Sequence, residues 1–488
     1  MPTILGANTL SAAYDVDNST MFESNDSSYF SKEYSSAASE NKIFTVSTWV
    51  KRSKIGADDS HQAVISAYRS SDGLQTDVVR FPSGDTFQFY AHTTNSSGNC
   101  QLTTNRIFRD TSAWYHIVVR VDTTQSTASN RVRIYINGVQ ETSFATENYM
   151  NQNGTVIWGL GSGVSHQIGA VGNSHHFSGY ITETVYLDNQ SVGPDTFGQF
   201  DSSTPTTWIP KDVSDLTFGG NSFYLDFETP GDQGQDKSGN SNSFDGNNLQ
   251  QKDQAQDTCT NNFCTWNRNN FSSANTTLTQ GATKLTGGSQ SSPNYTYISA
   301  TMAVANGKWY WEARALDNAE IDQAGVSLAE LSNFAQLSSS GGLQATTHGG
   351  KSVQFSNGVK AGDGSQSTYM GGFSANDILM VALDMDNGHI FFGRNGQWAD
   401  GSGNANQTFD NATAAFTNLE TGQFYHPSHT MRDSAGNNSG SVAYNFGGAY
   451  NEQFADAVES DANGYGHFEY AVPSGYYSLN SKNLGEFG

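Results

Sequence analysis

From Ile378 to Gly396 the chain reads Ile378-Leu379-Met380-Val381-Ala382-Leu383-Asp384-Met385-Asp386-Asn387-Gly388-His389-Ile390-Phe391-Phe392-Gly393-Arg394-Asn395-Gly396. Two apolar runs of strand length meet at one Asn-Gly and are closed by a second. Asn and Gly accept the positive φ of tight hairpin turns, so this stretch constrains the backbone to antiparallel strands. A chain built around it is a sheet protein.

The same signature recurs upstream. In Arg131-Val132-Arg133-Ile134-Tyr135-Ile136-Asn137-Gly138-Val139, the apolar Val132, Ile134 and Ile136 alternate with other residues, the period of a half-buried strand ending in a hairpin turn. Ile43–Val50 and Trp114–Val121 are β-branched and aromatic runs of strand length. In Lys308-Trp309-Tyr310-Trp311-Glu312-Ala313, Trp309, Trp311 and Ala313 share one face. No helical period separates these runs. At 488 residues the chain is too long for one ordinary core. The expected fold is all-β: two antiparallel β-sandwich domains of jelly-roll type over residues 1–190 and 258–450. Residues 191–257 are rich in Gly, Asp and Asn but carry Trp208, Phe223, Tyr224 and Phe227, which reads as an ordered connector. Residues 451–488, aromatic and without helical period, read as a docked C-terminal tail.

Composition narrows the partners. With 24 Lys plus Arg against 47 Asp plus Glu, the net charge of -23 repels polyphosphate and anionic lipid, so nucleic acid is not an expected partner. The absence of a long apolar run argues against membrane insertion. The beginning, Met1-Pro2-Thr3-Ile4-Leu5-Gly6, has neither a basic region nor a cleavable apolar core, which argues against conventional secretion. Of the three cysteines, Cys259 and Cys264 lie close enough in sequence to pair, leaving Cys100 over, and their spacing is not that of a zinc site.

Two families are resembled. Phe44-Thr45-Val46-Ser47-Thr48-Trp49-Val50-Lys51, Trp114-Tyr115-His116-Ile117-Val118-Val119 and Val132-Arg133-Ile134-Tyr135-Ile136-Asn137-Gly138 look like the laminin G or concanavalin-type lectin jelly roll, with Gly179–Asp188 as the closing strand. Gly307-Lys308-Trp309-Tyr310-Trp311-Glu312, the Leu383-Asp384 hairpin and Val442–Gly447 resemble SPRY domains, which bind partners through loops and carry out no chemistry. The order of lectin-like domain, Trp208-Ile209-Pro210 connector, Asp236–Asn242 loop, SPRY-like domain and Pro473-Ser474-Gly475-Tyr476 tail resembles virion proteins of tailed bacteriophages of marine cyanobacteria and other aquatic hosts. That resemblance implies a non-enzymatic structural protein, made in the host cytoplasm and displayed on the virion surface. It would be a tail fibre or adsorption protein contacting other virion proteins and host-surface glycans. A homo-oligomer, of the trimeric kind usual for fibres, is implied by the class. The alternatives are a capsid decoration or head-fibre protein, and an envelope-degrading glycanase.

A retaining glycanase of this shape carries Glu-x-Asp-x-x-Glu on one strand, and that triplet is absent. Glu183 and Asp188, five positions apart, are expected on opposite strand faces, and Asp384 with Asp386 reads as turn chemistry. For sugar binding, loop residues that stack on a ring or bond its hydroxyls are Tyr149, Asn153, Trp158, His175, His176, Trp398 and Asp400. Asp236, Ser238, Asn240 and Asn242 alternate in a manner that could converge on calcium, the one cofactor suggested. An Asx turn accounts for the same letters.

Overall fold

The computed structural model describes residues 14–35, 41–56, 61–69, 75–92, 99–161, 163–271, 276–287, 295–317, 323–329, 342–344, 349–432, 440–449, 454 and 458–488. The opening stretch Met1–Gly6 lies outside them. The fold is all-β, in two compact units that part between Asn262 and Phe263. No helix among the described residues is long and apolar enough to cross a membrane.

The N-terminal unit stacks two eight-stranded antiparallel sheets. The first runs Val139–Gln140, Val132–Ile136, Trp114–Asp122, Ile43–Arg52, Gly179–Asp188, Ser19–Phe22 and Gln254–Ala255, with Phe223–Leu225 also on Gly179–Asp188. The second runs Phe144–Asn148, Cys100–Ile107, Thr86–Ala91, Gln75–Pro82, His61–Arg69, Ser165–Ile168, Tyr29–Glu33 and Asp245–Asn247. Alternation decides what each sheet buries. Val46, Val50, Ile117, Val119, Ile134 and Ile181 of the first meet Ile65, Val79, Phe89, Leu102 and Ile168 of the second in one core. At the Ile136/Val139 hairpin, Asn137 and Gly138 take φ of 49° and 76°, the left-handed pair of a two-residue turn.

Residues 191–257 do more than connect. Besides supplying three short strands to the two sheets, they cover the outer face of the first sheet, where Phe197, Val213 and Tyr224 pack on Val118, Tyr135, Val185 and Leu187. Gly179–Asp188 is therefore buried on both faces. Trp49 is buried under this third layer, with His116 stacked on it at 4.7 Å and Trp208 beyond.

The unit is stitched where its chain enters and leaves. Ser19 pairs with Ala255, and Val16 and Thr260 bond each other reciprocally at 2.9 and 3.0 Å. Beside them the buried Lys51 ammonium donates to Asp257 at 2.6 Å and to Asn262 at 2.7 Å, while the Trp114 indole donates to the other Asp257 oxygen at 3.0 Å.

The C-terminal unit is a second sandwich. A seven-stranded sheet (Trp266–Phe271, Tyr295–Ala300, Tyr425–Arg432, Gln323–Leu328, Lys351–Gln354, Val359–Gly362, Ser365–Thr368) faces a nine-stranded one. The latter contains Thr276–Thr279, Lys284–Gly287, Ser441–Asn445, Lys308–Ala315, Ile378–Asp384, His389–Arg394, Gln397–Ala399 and Ala405–Gln407, with Tyr477–Ser478 added in parallel to Lys308–Ala315. Trp309, Trp311 and Ala313 point into the core, as their alternation requires. Of the two Asn-Gly pairs, Asn395-Gly396 forms the left-handed two-residue turn, with φ of 49° and 81°. The other closes a longer loop, Met385–Gly388, in which Asp384 accepts from the Asn387 backbone and amide and Asp386 accepts from the Gly307 N–H. Both aspartates are thus occupied by turn geometry.

In the described part of the tail, Phe468 meets Tyr310 edge-on at 5.0 Å and Tyr476 packs on Phe409 on the outer face of the nine-stranded sheet, while the last turn, a helix over Ser481–Phe487 not expected from sequence, sets Leu484 and Phe487 against the core with Leu479. Glu312 anchors the tail. Its carboxylate accepts from Tyr310 and the Tyr470 N–H on one oxygen, and from the Glu469 N–H on the other, each at 2.9 Å. Burial pushes this carboxyl up to about 7 despite those bonds.

Candidate functional site

Among the described residues, the layer that covers the first sheet does not reach the outer face of the second, which instead carries the 169–176 loop. Cross-strand register places Ser31, Gln167, Ser66, Val78, Tyr90 and Gln101 in one row across that face. A neighbouring row carries Ala63, Arg80, Gln88 and Thr103. Strand alternation explains the composition: Phe87 and Phe89 enter the core while Gln88 and Tyr90 face outward. Ala63 and Val78 form an apolar floor on which Val171, from the 169–176 loop, is seated, with Tyr68 and Tyr90 packed beside it.

The polar groups of this face are held in place by one another. Gln88 accepts from Arg80 Nε at 2.8 Å and donates to Thr103 at 2.8 Å. The Arg80 guanidinium lies 5.7 Å from the Tyr90 ring centroid. Tyr90 accepts from the Asn99 amide at 3.0 Å, and Gln167 donates to Asn173 at 2.9 Å. Burial lowers the Arg80 pKa, opposed by Tyr90 alone. His61, beside it, is lowered to about 4 by burial first, then by Arg80 and His175, and is neutral at pH 7. An apolar floor, two half-exposed aromatics and a few oriented polar groups are the constituents of a small-molecule or saccharide site.

Of the residues expected from sequence, two reach this face. His175, with φ of 53°, places its ring 5.1 Å from that of His61, and His176 lies 5.6 Å from Tyr29. Tyr149 is half-buried and donates to Glu147 at 2.9 Å, and Asn153 is exposed on another loop, its N–H bonded to the Thr123 carbonyl. Neither is brought to the outer-face rows. Trp158 is a correction: at 1% exposure it stacks between Phe44 and Tyr186 and plugs the end of the core. Trp398 is another, since it is buried against Phe409 and Tyr310 on the tail-covered face. Asp400 is half-buried and caps its own loop, accepting from the Ser402 and Asn404 N–H groups. Adjacent glycines suggested exposure for both tryptophans, whereas burial is decided by what covers the turn. Arg80, Gln88, Tyr68 and Tyr90 were missed, although the alternation Phe87-Gln88-Phe89-Tyr90 carried the signal.

The calcium reading is corrected too. Asp236 Oδ1 accepts from the Tyr224 and Ser238 N–H groups, and Oδ2 from the Ser238 hydroxyl and the Asn242 N–H, at 2.7–3.0 Å. The Asn240 and Asn242 amides donate to carbonyls of Gly219, Gly220 and Ser222. Four bonds occupy the sole charged ligand, so these residues do not fit the ion; they form an Asx-type hub. Chelation with EDTA is expected to leave the melting temperature unchanged within about 1 °C, checked by calorimetry; a fall of several degrees would reinstate the ion.

Two further constellations are structural. Ser47 lies 2.8 Å from His116 Nε2, but Trp208 donates to His116 Nδ1, so Nε2 bears the proton and cannot accept one from the serine. Glu183 occupies a β-bulge with φ of 50°, so simple alternation between it and Asp188 fails. Its carboxyl is bonded by Tyr224 at 3.0 Å, with Tyr14 nearby. Cys100, Cys259 and Cys264 are buried free thiols.

Comparison with known proteins agrees with the first sandwich. A laminin G type family described as the Concanavalin A-like lectin/glucanases superfamily matches residues 24–189. No curated protein sequence matches the chain. Among solved structures, it is similar to the SPRY domain of human HERC1, with 18% identity, a TM-score of 0.28 and coverage of 37% of this chain and 96% of that one. A human SPRY domain gives 13% identity, a TM-score of 0.25 and coverage of 37% and 97%. Stonustoxin gives 15% and 0.28, covering 37% of this chain and 27% of that one.

Proposed function

We propose that this chain is a glycan-binding adsorption protein displayed on the surface of a tailed-phage particle, and that the outer face around Tyr90 and Arg80 is where it grips the sugar. The observation that carries the reading is the composition of that face: a half-exposed tyrosine beside a guanidinium oriented by Gln88, on a lectin-like sandwich. Rigid sheets hold such groups at fixed spacing, which suits recognition. The order of motifs along the chain supports the virion setting, with other virion proteins as neighbours and host-surface glycans as ligand. Assembly as a trimer would convert weak single contacts into avidity.

A glycan array probed with the full chain tests this directly. Wild-type protein is expected to bind a defined subset of host-envelope glycans, and Tyr90→Ala to weaken binding roughly three- to tenfold while still unfolding cooperatively, the scale of one lost aromatic contact. Binding to no glycan would overturn the reading, as would a Tyr90→Ala variant of full affinity. Labelling of particles with an antibody to this chain locates it, and sedimentation gives its assembly state.

A further inference from the structure

The partners of Arg80 point to the kind of sugar. In a chain with 47 acidic residues against 24 basic ones, the two fully buried cations of this unit are matched by carboxylates, while the half-buried Arg131 and Arg133 bond backbone carbonyls and Asn130. Lys51 meets Asp257, and Arg52 meets Asp85. Arg80 differs from Arg131 in that its terminal nitrogens make no hydrogen bond among the described residues. It is half-buried, its Nε is bonded to the neutral Gln88, its flank lies against Tyr90, and no carboxylate among the described residues pairs with it. The neighbouring His61 has a buried Nδ1 with no hydrogen-bond partner among the described residues.

A guanidinium stripped of part of its water and given no counter-charge has unsatisfied donor capacity in fixed geometry. Gln88 holds the Nε edge, leaving the two terminal nitrogens to form a planar fork, the shape that carboxylate and sulfate oxygens match bidentately. Such bonds are shorter and stronger than neutral ones and gain further from the partly desolvated setting. We infer that Arg80 receives the acidic group of a charged saccharide, a carboxylate or a sulfate ester, so that this face selects acidic over neutral glycans. The inference rests on the glycan-binding reading above. Tyr90 would contact the ring and Arg80 its charge, which divides affinity and selectivity between two residues.

The test uses the full chain on an array carrying each acidic oligosaccharide beside its neutral form: oligogalacturonate with its methyl ester, and sulfated with desulfated galactan. Wild-type protein is expected to bind the acidic member of at least one pair about tenfold more tightly, with the preference shrinking as sodium chloride is raised. The pair that discriminates identifies carboxylate or sulfate as the source. Arg80→Gln should abolish the preference, so that the variant binds the acidic and neutral members of a pair equally, and Tyr90→Ala should weaken both forms. Equal binding of acidic and neutral forms across the array, with Tyr90→Ala still weakening it, overturns the acidic assignment and keeps the glycan reading. Binding to nothing on the array overturns both. Because the acid and neutral probes are compared on wild-type protein, the result does not depend on how well the Arg80 variant folds.

Discussion

Replacing Asp257 with alanine is expected to destabilise the N-terminal unit by about 3–5 kcal/mol, since it strands the buried Lys51 ammonium without its counter-charge. The Trp114 indole and the Ser19–Ala255 pairing beside it lose support in the same step. Removing both charges together, in Lys51→Met with Asp257→Leu, should cost much less than Asp257→Ala alone. Apolar groups of similar size need no compensation in that site. Urea unfolding of the two variants checks this. A single-variant loss below about 1 kcal/mol, or a double variant as costly as the single, would mean that water or another group already solvates the lysine.

Raising the pH from 6.5 to 8 is expected to lower the stability of the N-terminal unit by roughly 3–4 kcal/mol, because two buried carboxyls are held protonated in the fold. Burial raises Asp77 from 3.8 to about 8 and Glu183 from 4.5 to about 8, outweighing the hydrogen bonds that favour ionisation. Over that interval the folded chain keeps protons that the unfolded chain has released. Their contribution is therefore fully present below about pH 4 and is lost as pH rises through 8. His116 and His166 act in the opposite sense: burial lowers both from 6.5 to about 3, so their contribution is complete above 6.5 and is lost as pH falls towards 3. Between about 4 and 6.5 these histidines, joined by His61, oppose the carboxyls, and above 6.5 the histidines no longer contribute. Glu183→Gln, which keeps the shape and removes the proton linkage, should halve the alkaline slope and raise stability at pH 8. An unfolding free energy that is level or rising across pH 6.5–8 would show that these carboxyls are ionised in the fold.

What the sequence reveals and what it conceals differ in kind. Hairpins declare themselves locally: Asn137-Gly138 and Asn395-Gly396 need left-handed φ, and the flanking β-branched residues leave the chain few other conformations. The inward face of Lys308–Ala315 is equally local, because alternation assigns Trp309 and Trp311 without knowledge of the partner sheet. Coverage is not local. Nothing in Phe223-Tyr224-Leu225 states that it pairs with Gly179–Asp188, and nothing in Phe197 or Val213 states that it covers the outer face of that sheet. The same dependence misplaced Trp158 and Trp398, both beside glycine-rich turns and both covered by distant segments. It also concealed Arg80, which no carboxylate among the described residues pairs with. The Asp236 loop shows a further limit: identical letters serve a metal or a self-bonded turn, and only the direction of the Asn240 and Asn242 amides distinguishes them.

The stitched doorway of the N-terminal unit has a mechanical corollary. Because Val16 and Thr260 leave side by side from an antiparallel pair, tension applied across them peels the Ser19–Phe22 and Gln254–Ala255 strands apart one rung at a time instead of shearing all rungs together. Peeling geometries yield at low force. A tug between these two ends should open this zipper first, with Lys51 and Asp257 as its clasp, while the hairpins behind it remain closed.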